Sequence, residues 1–378
     1  MTRTRTNSVL GPKTYYYHSG NLISTTQLPG LVESIEDGTH DLSKLGQSDC
    51  GGPMLLNRDK YEYKTYGYTS GIRSGSTFYV QSGNPAGRPP VITDSEIKGL
   101  GTTAIARTIP TSPILDGATL LGETISGGLP ALTGIKTWKE RARLNRAAGS
   151  EYLNYQFGWV PLLNDIRNFA YAVKNSHKVL EEFHEGSGKN TRVGYKFPKS
   201  SYNHVELRTI NSVRADGVAW DSLPGYQQEI SGSQTWFNGC FTYYVPVSVD
   251  TRSSIARFAA DANKLFGVRV TPEVLWNISP WSWGMDWFGN VGDVLANMSA
   301  LGSDGLVLKY GYVMYHNFYD VRRVQFPHVN NGGVSASSRR LGEVKKRFPA
   351  SPYSYFAAPT SLSVKQSAIL VALGLSKS

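Results

Sequence analysis

Cations set at regular spacing beside aromatic rings are the side chains of this chain best suited to chemistry, and that chemistry is the grip on a polyanion. Lys136, Lys139, Arg143 and Arg146 recur at three- and four-residue intervals, so one helical face would carry them, with Arg141 beside them. Only Ile135, Trp138 and Leu144 are large and apolar there, which leaves a narrow buried stripe and a broad cationic one. Such a face is either an ordinary solvated helix surface or a track for phosphates, whose neutralisation releases counterions and makes affinity fall with salt. Arg252, Arg257, Lys264 and Arg269 form a second basic set, the first three on a helix whose apolar side is Ile255, Phe258, Ala259, Ala262, Leu265 and Phe266. Arg322 and Arg323 follow the series Tyr310, Tyr312, Tyr315 and Tyr319, mixing charge with rings on which unpaired bases stack, although on a strand most such tyrosines pack inward. Arg339, Arg340, Lys345, Lys346 and Arg347 complete the set, in a region (residues 301–378) with 10 basic and 3 acidic side chains.

No comparable set supports catalysis or a metal. His177, Glu181 and His184 share a helical face, but Glu182 and Glu185 make it an ordinary hydrophilic one and no fourth ligand is identifiable. Gly186-Ser187-Gly188-Lys189-Asn190 lacks the first glycine and the Ser/Thr of a phosphate loop, and it runs from helix to strand, the reverse of that motif. Asp286, among tryptophans, reads as a hydrogen-bonded buried carboxylate. The expectation is a binding protein, not an enzyme, with no cofactor and no metal. Cys50 and Cys240 stand far apart without ligand-spaced neighbours, so free thiols are expected, and the sequons at Asn277 and Asn297 read as coincidence. The net charge of +10 suits a polyanionic partner. No apolar run approaches the length of a membrane span, and Met1 to Thr6 is not followed by the apolar stretch of a secretory signal, so a product that stays in the producing cell is expected.

The elements that must position these groups alternate in blocks. Residues 1–134 read as mainly β, with short Tyr- and Thr-rich runs between Gly, Pro and Ser and no need of a helix. Residues 135–185 read as helical: the basic helix is stopped by Gly149, and a second helix from Pro161 to Phe183 carries the stripe Leu162, Ile166, Phe169, Val173, Leu180 and Phe183 and ends at Gly186-Ser187-Gly188. Strand character returns over 190–250, helix over 251–303, strands over 304–350, and a closing helix over 358–376 packs on the helical region. The fold class expected is α+β, elongated, with a helical bundle region at one end and an antiparallel β-sheet region at the other.

Half of the eight tryptophans fall between Trp276 and Trp287. Ser279 and Pro280 cap a helix there, along which Trp283, Trp287, Val291, Val294, Met298 and Leu301 recur at helical spacing, so Trp276, Trp281, Trp283 and Trp287 read as a packing nucleus. The wording from Thr271-Pro272-Glu273-Val274-Leu275-Trp276 to Val291-Gly292-Asp293-Val294-Leu295 closely resembles the most recognisable segment of the maturation proteins, or A proteins, of the single-stranded RNA bacteriophages (leviviruses). The block from Gly149 to Ile166, with Phe157-Gly158-Trp159-Val160-Pro161-Leu162 at its centre, resembles the other segment that recurs in that family. Elsewhere the likeness is one of order and character.

The resemblance implies a virion protein present in very few copies and made in the host bacterial cytoplasm. Its implied partners are the viral genomic RNA, the phage coat protein and a bacterial pilus to which it attaches the particle. It also implies an elongated body whose helical end meets RNA, near Lys136 to Arg146 and Arg252 to Arg269, and whose β end projects outward. Tyr61, Tyr63, Tyr66 and Tyr68 are then the candidate receptor-binding residues, since loops on a rigid scaffold commonly carry recognition. Some members of the family also lyse the host by inhibiting cell-wall synthesis, which makes lysis an alternative second activity.

Overall fold

The computed structural model describes residues 2–19, 21–38, 52–69, 75–81, 90–112, 160–214, 219–245, 257, 260–265, 290–303, 306–328 and 333–355. Most of these are strand. The strands are β1 (Thr2–His18), β2 (Asn21–Gly38), β3 (Met54–Lys64), β4 (Tyr66–Thr69), β5 (Gly75–Val80), β6 (Thr191–Lys196), β7 (Ser200–Val213), β8 (Ala219–Thr242), β9 (Val307–Gln325) and β10 (Ala336–Pro349). Three helices have described spans: α1 (Asp94–Ala106), α2 (Val160–Gly186) and α3 (Val291–Ser303).

The strands join in one ten-stranded sheet of order β1-β2-β3-β10-β9-β8-β7-β5-β4, with β6 also on β8. Its described pairings are antiparallel. The sheet curls far enough for β1 and β5 to meet as well, at Tyr16 and Ser76. Two small cores lie on its inner side. Tyr66, Phe78, Val80, Ile210 and Ala336 form one, and Ile97, Val313 and Tyr315, with Ile92 and Phe348, form the other. Along β9 buried and half-buried residues alternate from Gly311 to Val321, the period-two signature of a strand with one face inward.

The chain divides into two compact units, one of residues 1–97, 194–238 and 312–350, the other of the remainder. In the second, α3 meets α1 through polar groups. Asn290 Nδ2 donates to the carbonyls of Gly99 (3.3 Å) and Ser354 (2.9 Å), and two turns on Asn297 Nδ2 donates to those of Thr102 and Pro352 (both 3.0 Å). Thr103 Oγ1 donates to Asp293 at 2.6 Å, and Thr102 Oγ1 to the Ser351 carbonyl at 2.7 Å. Asn297 is fully buried, whereas Met298, expected on the apolar stripe, is half exposed. That burial also removes Asn297 as a glycan acceptor in the folded chain. The end of α2 is held likewise: Gly188 takes φ +72°, where only glycine is at ease, and its N–H donates to the Tyr243 carbonyl at 2.8 Å. The Tyr243 ring stacks on Phe183 at 5.3 Å and its hydroxyl donates to the Phe183 carbonyl at 2.9 Å.

Two expectations are corrected. The fold is mostly antiparallel sheet, and no helical bundle is evident among the described residues, contrary to the α+β expectation with a bundle at one end. A bundle needs apolar seams between helices. Here α1 and α3 are joined by amide and hydroxyl hydrogen bonds, and the strands run longer than their sequence punctuation suggested, as with the 24 residues of β8. The second correction is α1 itself, in a region read as helix-free. Gly99, Gly101, Thr102 and Thr103 make it a poor helix former. Its start was nonetheless written in the sequence: Thr93-Asp94-Ser95-Glu96 has the form of a capping box, and Thr93 Oγ1 accepts from the Glu96 N–H at 3.2 Å.

Replacing Asn297 by Leu removes the donor to the Thr102 and Pro352 carbonyls, and a loss of about 1–3 kcal/mol is expected. Chemical denaturation checks this; a variant as stable as the parent would show that the asparagine does not tie α3 to α1.

Candidate nucleic-acid interface

The basic doublets of the C-terminal region lie on β9 and β10, and a strand sends neighbouring side chains to opposite faces. Each doublet is therefore split. In the antiparallel pairing of these strands Arg339 stands opposite Arg322, and β3 continues the register with Glu62 opposite Arg339 and Lys64 opposite Ser337. These residues, with Asp320 and with Gln228 of β8, line an open cleft of about 500 Å³. Arg339 chelates Asp320 through Nε (2.9 Å) and Nη2 (2.7 Å), and reaches Glu62 at 3.6 Å. The planar guanidinium is held by that fork. Arg322 is exposed in the cleft and has no ion pair among the described residues; Lys64 Nζ lies 3.3 Å from the Ser335 hydroxyl.

The other members of the doublets serve the structure. Arg340 lies over the rings of Tyr61 and Tyr319, each at 5.4 Å, and donates to Asp59 at 3.2 Å, while the Tyr319 hydroxyl donates to the same carboxylate oxygen at 2.5 Å. Gly342 sits opposite Tyr319 because an added Cβ would run into the ring. Arg323 is half-buried, bonding Gln227 (2.8 Å) and the Gln81 carbonyl (3.2 Å); burial, reinforced by Arg208, lowers its pKa. Lys346 holds Asp94 (2.8 Å) and the Ile92 carbonyl (2.9 Å), and Arg347 donates to the Gly52 carbonyl (2.9 Å) and lies over the Tyr312 ring at 5.6 Å. Lys345 meets Glu343 at 2.7 Å, and His316 Nε2 and Arg58 approach that carboxylate at 2.8 and 3.5 Å.

Of the remaining candidates, Lys264 donates to the carbonyls of Pro110 (2.9 Å) and Ser112 (2.7 Å), a structural use. Arg257 is helical and half-buried. Lys136, Lys139, Arg141, Arg143, Arg146, Arg252, Arg269 and all four nucleus tryptophans lie outside the described residues. Tyr66 is core: it is 6% exposed, stacks on Phe78 at 5.3 Å, and its hydroxyl donates to Ser212 at 3.1 Å. Tyr61 and Tyr63 stack in parallel on β3 at 6.4 Å, Tyr63 meets Tyr79 edge-on, and the Tyr68 side chain is not among those described. Tyr315 and Tyr319 are buried, so they are not open stacking platforms. His177 faces Glu181 at 3.9 Å on the surface, whereas His184 lies 2.9 Å from Asp261, so the three residues of the helical spacing do not converge. Cys240 is a buried free thiol. No described helix is long and apolar enough to cross a membrane.

Sequence reasoning missed Glu62, Lys64 and Asp320. Their signal was the alternation of β3 and β9, usable only once the register brought the strands together.

The antiparallel sheet thus sets cations interleaved with carboxylates along a wide polar cleft. The chain is similar to maturation protein A2 of Escherichia virus Qbeta, 27% identical over 161 residues that make up 41% of this chain and 33% of the relative. It is similar to maturation protein A2 of Enterobacteria phage SP (26% over 176 residues, 45% and 35%) and of Qbeta virus strain MX1 (25% over 155 residues, 39% and 32%). The matches span about a third of the length of these relatives. No family model matches the chain. The likeness agrees with the resemblance carried by the two motif blocks and supports a phage maturation-protein role.

The ion pairs of this face set an acid limit on stability. Burial raises the Glu343 pKa, but the hydrogen bond and charge of Lys345, with His316 and Arg58, outweigh it and hold the carboxyl below its ordinary 4.5. The Lys60 hydrogen bond leads in lowering Glu62. A depressed carboxyl stabilises the fold above its unfolded value and loses that contribution as pH falls through the folded one. Denaturation midpoints should therefore drop below pH 4.5, and less steeply in Glu343→Gln; equal slopes would remove Glu343 from the account. Gly342→Ala should destabilise at any pH by displacing Tyr319 from Arg340, by about 1–3 kcal/mol as for other overpacked sites, read from the same denaturation curves.

Proposed function

We propose that this chain is a phage maturation protein that binds the viral genomic RNA, enters the capsid in very few copies beside the coat protein, and mediates adsorption to a bacterial pilus. It acts by binding and not as an enzyme. The observation that carries the reading is the likeness to maturation proteins of three RNA phages, found over stretches of 155 to 176 residues. The RNA part draws separate support from the cleft: Arg322 and Lys64 lie on neighbouring edges of an open polar surface, and Arg339 is fixed between them by Asp320. Cations so placed suit phosphates of a folded RNA, with shape and unpaired bases supplying selectivity. Lys136 to Arg146 adds a second basic surface from sequence alone.

The test is binding of the full chain to its cognate genomic RNA across a salt series. The expected logarithmic slope is steep, and Arg322→Ala and Lys64→Ala should each reduce it by roughly one, as for a lost phosphate contact. Affinity that is flat in salt overturns the RNA reading; a steep slope that both variants leave unchanged moves the RNA site off this cleft. Adsorption of particles carrying the parent chain or none to piliated and pilus-free cells tests the attachment role, which predicts loss in both controls.

A further inference from the structure

We propose that Arg208 and Arg323 form an anion site that takes a phosphate group, on the face of the sheet opposite the cleft of Arg322. Neighbours on a strand point to opposite faces, so Arg323 projects away from that cleft. Its Nε donates to Gln227 Oε1 at 2.8 Å and its Nη1 to the Gln81 carbonyl at 3.2 Å. Arg208, from β7, donates through Nη1 to the same Gln227 oxygen at 3.4 Å. Two guanidiniums therefore converge on one neutral amide, whose residue is only 7% exposed.

What the pair lacks is negative charge. Arg339 and Arg340, on the neighbouring strand, each meet a carboxylate, Asp320 and Asp59 respectively. Arg323 is half-buried and meets only neutral acceptors among the described residues. Burial, and then the like charge of Arg208, lowers its pKa. Glu206 approaches Arg208 at 3.8 Å, but the two side chains are 53% and 43% exposed, so solvent screens that pair. Glu229, one step further along this face of β8 and opposite His204, is buried and makes no ion pair with Arg323. A half-buried cation beside a second one is costly, and a bound anion offsets that cost.

The donors define the ligand. Arg323 Nη2, Arg208 Nη2 and Arg208 Nε have no acceptor among the described residues, so each guanidinium keeps free N–H groups. Gln227 and Gln81 fix Arg323 in place, and Ser338, opposite it on β10, donates to the same Gln81 carbonyl at 3.3 Å. A carboxylate has two oxygens and fills one fork; a tetrahedral phosphate presents oxygens to both forks at once. The exposed Arg208 leaves the site open to solvent on the β7 side. The inference does not rest on the RNA reading.

Thermal unfolding of the full chain in inorganic phosphate, against chloride at matched ionic strength, is the test. The midpoint of the parent should rise with phosphate and continue to rise past half-saturation, as for any ligand that binds only the folded state. Arg208→Gln and Arg323→Gln should each lose this increment, and Arg322→Ala, on the other face, should keep it. Glu206→Gln should lower the half-saturating phosphate concentration by roughly two- to fivefold, the worth of one exposed ion pair, an effect that a purely structural arginine pair would not give. A parent with no phosphate-specific rise, or a rise that both glutamine variants retain, overturns the proposal. If Arg323→Gln does not fold, the exposed Arg208→Gln decides, and an undiminished increment there overturns it. Repeating the titration with the cognate genomic RNA bound identifies the source of the group: an increment that vanishes assigns the site to an RNA phosphate, and one that persists assigns it to free phosphate.

Discussion

In the pairing of β9 with β10, Arg339 stands opposite Arg322 and Arg340 opposite Val321, and the division of labour among the basic residues follows from that register. Arg339 faces the cleft, where Asp320 and Glu62 offset its charge, and further along the same side of β10 Lys345 meets Glu343. On the other side Arg340 lies over the rings of Tyr61 and Tyr319 and Lys346 reaches the Ile92 carbonyl. A slip of one residue would exchange the two sets, burying Arg339 with its carboxylates and exposing the residues that fill the core. Two contacts resist the slip. Gly342 leaves room only for the Tyr319 ring, and Asp59 accepts from both Tyr319 and Arg340.

Polar groups also fix the helices. Asn290 and Asn297 tie α1 and α3 to residues 351–354 by each donating from Nδ2 to two backbone carbonyls, which fixes the contact by direction as well as by area. Gln325 plays the matching part in the sheet, donating from a fully buried amide to the Ile210 carbonyl at 3.0 Å. A chain of modest hydrophobicity thus uses amides and tyrosine hydroxyls where other folds use leucine.

What could be read in advance followed from how local each signal is. The stripe from Leu162 to Phe183 and the stop at Gly186-Ser187-Gly188 anticipated α2, and the tyrosine alternation anticipated β9, because both depend on near neighbours in the chain. The capping box at Thr93 was equally local but was masked by the glycines and threonines behind it. The apolar stripe read along α3 failed at Met298 because helix periodicity names a face without naming which residues a neighbour will bond, and Asn297 was the one chosen. Of the candidate site, the cations of β9 and β10 were legible and their use was not. Arg322 and Arg323 are alike in sequence; only the pairing of strands far apart in the chain makes one a surface cation and the other a half-buried prop.

The same pairing constrains what the outward face can do with a polyanion. Arg339 is bound along one edge by both oxygens of Asp320, and a phosphate that approached it would meet a guanidinium whose charge is already largely offset. Its remaining contribution is directional: a fixed fork with free donor directions orients a phosphate more than it attracts one. Attraction falls to Arg322 and Lys64, which flank it, and to the net charge of +10 carried by the whole chain. On the proposed RNA reading, such a face would discriminate among phosphate arrangements by geometry and leave the bulk of the affinity to long-range charge, so its selectivity would depend on the carboxylates as much as on the cations.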